Sequence, residues 1–158
     1  MVNHSNQTLS ATDTCKVIVF TIDNYWLALP ITNVLKIINT PPLVNAKQNH
    51  LSLVHIGDIV LTILNLQQML NLSHSETPKI GKFLLILQLT TGEIAGIPLD
   101  EPPSLLELPL VEIRSLPESY LQSTSLKIAS HVALICQEET PQELFILDLE
   151  KIQISSAS

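Results

Sequence analysis

What most constrains this chain is its punctuation. Short runs rich in Val, Ile and Leu recur along it, each broken after roughly 8 to 15 residues by Pro, Gly, Asn or Asp. Such runs read as strands, and they predict strands over residues 15–22, 25–29, 51–56, 59–66, 83–90, 93–99, 126–136 and 144–149. Asp23-Asn24 and Thr91-Gly92 fall where tight hairpin turns belong, because Asn and Gly tolerate positive φ. Helical signals are weak. Residues 66–72 predict two turns with Met69 and Leu70 facing inward, and residues 148–154 a short helix capped by Asp148. Many short strands and few helices predict an all-β barrel or sandwich.

The chain also echoes itself. VIVFTIDNYWLALPI (17–31) lies on LLILQLTTGEIAGIPL (84–99) with one gap, each copy an apolar strand, a polar turn and a second strand ending at Pro30 or Pro98. This predicts two small barrels, each built around a long hairpin. The run 83–89 is apolar at nearly every position, so it should be buried on both faces, as a strand between two barrels would be.

With 158 residues and 46% apolar content, the chain has material for one domain or two subdomains on a common core. Net charge is −7, with only 8 Lys plus Arg spread along the sequence. Phosphate backbones and anionic lipid need a clustered positive field, so nucleic acid and the membrane surface are poor partners. Residues 1–14 lack a basic start and an apolar run, and read as a flexible tail rather than a secretory signal. The longest apolar run, 83–87, is too short to span a bilayer. Cys15 and Cys136 sit in apolar runs and read as small packing residues, although a disulfide between them stays open. The expected compartment is the cytoplasm.

A search for reactive groupings finds none of the familiar ones. There is no Gly-x-Ser-x-Gly elbow, no phosphate loop and no dinucleotide fingerprint, and the 4 glycines are too few for a phosphate cradle. Of the 5 histidines, His50 and His55 lack the spacing of paired ligands on a strand, His131 lies in a strand, and His4 and His74 fall in loops. Glu101, Glu138 and Glu139 flank prolines and turns and read as solvated. Trp26 reads as a packing residue, and aromatics at 4% cannot line a base-stacking groove. No catalytic residue, metal or cofactor is expected.

Three stretches carry a resemblance to a known family: KVIVFTIDNYWLALPITNVLKII (16–38), HIGDIVLTILNLQQMLNL (55–72), and EIAGIPLDEPPSLLELP (93–109) with the closing ELFILDLEKI (143–152). In order and spacing, over residues 16–154, they resemble the CheW family of chemotaxis coupling proteins. The resemblance implies two SH3-like five-stranded β-barrel subdomains sharing a hydrophobic core over 15–154, with a short tail at 155–158. It also implies a non-catalytic adaptor between the tip of a methyl-accepting chemoreceptor and the regulatory domain of a CheA-type histidine kinase. Matching residue by residue, Val34, Lys36, Ile37, Ile56, Gly57, Ile97 and Leu99 become candidates for a partner-binding groove between the barrels. Simple core packing stands beside that reading for the apolar ones. Gly96 and Asp100 match structural positions of the family.

The departures bear on partner choice. Ile56 stands where the family usually has an arginine, and Lys36 where it often has Glu. Asn65 replaces the usual Asp, one residue further from Gly57, and Leu61 or Thr62 fills a usual proline place. Losing an arginine removes charge-assisted bonds that select partners, so a divergent adaptor with its own receptor or kinase is expected. A β-barrel that binds a small apolar ligand is the competing reading.

Overall fold

The computed structural model describes residues 13–41, 53–72 and 81–152. The predictions for 1–12, 155–158, the first two residues of 51–56, the end of 148–154, and His4, His50 and His74 lie outside them. Eleven strands run β1 (Thr14–Ile22), β2 (Tyr25–Pro30), β3 (Val34–Asn39), β4 (Leu53–Ile56), β5 (Ile59–Ile63), β6 (Phe83–Gln88), β7 (Ile94–Leu99), β8 (Ser104–Pro109), β9 (Arg114–Ser115), β10 (Ala129–Gln137) and β11 (Thr140–Leu147). Two short helices, α1 (Leu66–Met69) and α2 (Glu118–Ser123), and 3-10 turns at Ile31–Asn33, Leu110–Glu112 and Leu149–Lys151 join them.

The strands form two sheets, in the orders β8-β1-β2-β11-β10-β9 and β3-β6-β7-β5-β4. The larger contains five full strands and the two-residue β9. The repetition heard in the sequence is real at the level of pairing. In each sheet a hairpin (β1–β2, β6–β7) takes an antiparallel neighbour on its first strand, β8 or β3. Its second strand pairs in parallel with β11 or β5, which hairpins in turn with β10 or β4. The first barrel is assembled from both ends of the chain and the second from its middle.

Successive side chains of a strand point to opposite faces, and here that alternation sorts residues among three cores. On β6, Leu84 and Ile86 join Val54, Leu61 and Ile63 inside the second barrel, while Leu85 and Leu87 face a central core. On β1, Val17 and Val19 face the first barrel's interior, while Ile18, Phe20 and Ile22 turn to the central core. The central core also receives Leu27 and Leu29 of β2, Ala95, Ile97 and Leu99 of β7, and Phe145 and Leu147 of β11. The run 83–89 is thus continuous in sequence but serves two interiors. Burying each such leucine contributes about 2 kcal/mol, and among the described residues no polar or charged residue is fully buried.

The turns follow their chemistry. Ile22 pairs with Tyr25 across Asp23-Asn24, where Asp23 has φ 52°, and Gly92 takes φ 92° in the β6–β7 turn. Asp148 accepts from the Glu150 N–H at 3.0 Å and caps the closing 3-10 turn. The β10–β11 turn is less well suited to its backbone. Glu138 and Glu139 hold φ of 51° and 67°, a left-handed conformation that costs residues with a Cβ. Changing this pair to Asn-Gly, the favoured sequence for such a turn, should raise stability by about 1 kcal/mol. An unchanged urea midpoint in the E138N/E139G variant would refute strain at this turn.

Candidate docking surfaces

The described side chains converge on no reactive centre. No group of three or more His, Cys, Asp or Glu among them is placed to hold a metal ion. His131 Nδ1 lies 2.7 Å from Ser130 Oγ, a contact between sequence neighbours at the start of β10. Cys15 and Cys136 are both free thiols, the first half-buried and the second exposed. Burial first, then the nearby Glu143 and Tyr25, hold the Tyr120 phenol above its ordinary pKa. No described helix is long and apolar enough to cross a membrane.

The structure divides the predicted groove residues. Val34 opens β3, half-buried against the central core, and Lys36 and Ile37 follow it on the same strand, both exposed. Ile56 ends β4, half-buried against the second barrel's interior, and Gly57 forms the exposed β4–β5 turn with φ 59°. Ile97 and Leu99 are 0% and 2% exposed, so they are core positions and offer no surface to a partner. Both share the face of β7 that carries Ala95 into the central core, which is the physical reason for that correction. β3 and β4 occupy the two ends of their sheet, so Val34, Lys36, Ile37 and Ile56 sit on its two edge strands, with Gly57 in the turn that follows β4.

Gly96 points the other way on β7. A Cβ there would meet Leu61 Cδ1 and Leu84 Cδ1 at 3.0 Å, inside the second barrel. Asp100 is exposed just beyond β7, beside a small pocket shared with Asp23 and Asn65. The Asn65 side chain accepts from the Gln68 N–H at 3.1 Å, so the Asn found in place of the usual Asp still caps α1.

One groove where the barrels meet, along Pro30, Thr90, Ser130, His131 and Asp148, is lined by none of the seven predicted residues, while the small pocket between Asp23 and Asp100 at another part of the junction counts Ile97 among its lining. Sequence reasoning also missed the most exposed apolar groups: Leu134 at 63%, Leu105 at 56%, Leu35 at 51% and Val60 at 49%, with Ile59 and Val111 both at 48%. Leu134 sits in the continuous apolar run 132–136, which reads like a strand buried on both faces, so nothing in the residues alone marks it as exposed. These groups are spread over the outer surfaces of both barrels.

Comparison with known proteins agrees with that geometry. The family model for the CheW-like domain matches residues 16–155. The crystal structure of the scaffolding protein TtCheW from Thermoanaerobacter tengcongensis superposes with a TM-score of 0.64 at 12% identity, covering 86% of this chain and 90% of that one. No curated protein matches the sequence. The match to the family model spans both barrels and the shared core between them: the chain belongs to the CheW-like domain family.

Proposed function

We propose that the chain is a non-catalytic coupling adaptor of a chemotaxis-type array, holding the tip of a methyl-accepting chemoreceptor and the regulatory domain of a CheA-type histidine kinase in fixed relation in the cytoplasm. The observation that carries this reading is membership of the CheW-like domain family across residues 16–155. The exposed apolar residues on both barrels support it, since an adaptor needs at least two contact surfaces. Val34, Lys36, Ile37, Ile56 and Gly57 are the proposed receptor contacts. Ile97 and Leu99 belong to the central core against which Val34 packs, and Gly96 and Asp100 have structural roles.

Weak contacts suffice for such an adaptor, because a lattice multiplies them through effective concentration. Selectivity then rests on a few charged groups. Lys36 is the one cation on β3, and Ile56 brings no charge to the β4 end. The full chain should be retained both by an immobilised receptor-tip fragment and by the kinase regulatory domain, and retention by neither would sink the proposal. Ile56→Arg should shift preference among receptor tips by about tenfold, the scale of one charge-assisted contact. If affinity for every tip stays the same, Ile56 is not a receptor contact.

A further inference from the structure

The strand β10 has an edge that the fold leaves half-covered. β9 pairs with it at only two positions, His131↔Ser115 and Val132↔Arg114, and just beyond them the Leu116 N–H donates to the Ser130 carbonyl at 2.9 Å. In an antiparallel ladder alternate residues aim both backbone groups at the same neighbour. Ser130 and Val132 therefore face β9, and by the same alternation so do Leu134 and Cys136. Continuing the register would set Glu112 opposite Leu134. Instead the chain coils into the 3-10 turn Leu110–Glu112 and leaves the sheet. Among the described residues nothing bonds the backbone of Leu134 or Cys136 on that side.

The gap is an open cleft of about 410 Å³ between the 3-10 turn and β10. Its apolar walls include Val111 and Leu134, which are 48% and 63% exposed. Its charged groups are Glu112 and Glu143 against Arg114, and β10 ends at the Glu138-Glu139 turn. Four carboxylates against one guanidinium make the surroundings acidic. An unpaired strand edge beside exposed leucine is a template for another strand, and this edge carries neither a lysine nor a proline to blunt it.

We propose that the β10 edge at Leu134–Cys136 receives one extended segment of a partner protein by strand addition, a segment that is apolar at alternate residues and carries lysine or arginine between them. Main-chain bonds to Leu134 and Cys136 supply the register, Val111 and Leu134 take the apolar side chains, and Glu112, Glu138, Glu139 and Glu143 select the positive charge. A second copy of this chain would bring a second set of the same four carboxylates to the edge, so net charge favours a basic partner over self-pairing. The proposal rests on the chain being a contact protein, but its test reads the β10 edge directly and not the receptor or the kinase.

The probe is a capped Lys-Val-Arg-Val-Lys-Val peptide titrated into the full chain labelled with nitrogen-15. Its controls are the Glu-for-basic twin and a version N-methylated at alternate amides, which cannot complete a ladder. The expected result is saturable binding below about 1 mM, with the largest amide shifts at Leu134 and Cys136. Each control should bind at least about tenfold more weakly. Leu134→Pro should abolish binding without unfolding the chain, because the N–H it removes points out of the sheet. Should that variant unfold, Leu134→Glu replaces it, with the same expected loss of binding. Absent or unsaturable binding, equal affinity for either control, shifts centred elsewhere, or concentration-dependent self-association through β10 in the free protein would each overturn the proposal.

Discussion

Gly96→Asp should abolish the native fold, and Gly96→Ala should weaken it measurably. Gly96 lies in the middle of β7, between Ile86 of β6 and Ile63 of β5. Even a methyl group would sit 3.0 Å from Leu61 Cδ1 and Leu84 Cδ1, and 3.1 Å from Leu84 Cγ. These neighbours are 1% exposed and have little room to retreat, so the alanine variant should lose about 1 to 3 kcal/mol. A carboxylate adds the cost of burying charge without a donor, several kcal/mol more, which approaches the whole stability of a domain this size. Circular dichroism and urea titration of the two variants check this. A Gly96→Asp protein with a native spectrum and midpoint would mean that β7 does not face the second barrel's interior there.

Leu85→Ala should destabilise both barrels at once. Leu85 belongs to the second barrel's strand β6, yet its side chain is 0% exposed within the central core, among residues contributed by β1, β2 and β11. Truncating a fully buried leucine costs about 3 to 5 kcal/mol when the cavity cannot collapse. Trp26 packs against the first barrel's own interior and so reports the barrel that does not contain the substitution. The tryptophan emission midpoint and the far-ultraviolet transition should move down together. A Trp26 transition left at its wild-type midpoint would show two independently stable units and refute a shared core.

The sequence carried the architecture through two physical signals. The run 83–87 is apolar at every position and has no polar face to give to water, so burial on both sides followed, and Leu84 and Leu85 do go to different cores. The doubled hairpin was legible because turn residues and strand alternation are local. What escaped lacks a local signal. β3 exposes Leu35, Lys36, Ile37 and Asn39, so it shows no alternation. β8 lies between prolines and exposes Leu105, and β9 has only two residues. α2 starts at Pro117 with no side-chain cap and buries only Leu121. For the candidate site, resemblance could nominate positions but could not decide which face of a strand they occupy. One step of register separates Ile97 in the central core from Gly96 inside the second barrel.

The way the chain is shared between the barrels bears on how the molecule comes into being. All five strands of the second sheet lie between Val34 and Leu99, so that barrel can close while later residues are still emerging from the ribosome. The first barrel must wait, because Trp26 of β2 pairs with Leu144 of β11, about three-quarters of the chain length away. Bringing such distant partners together is slow, and until it happens β2 has only β1 beside it and the central core lacks Phe145 and Leu147 of β11. In stopped-flow refolding, Trp26 emission should therefore trail the bulk of strand formation; simultaneous phases would contradict this order. The final hairpin is thus the latch of the assembly, and a nascent chain is most prone to stick to its neighbours just before that hairpin arrives.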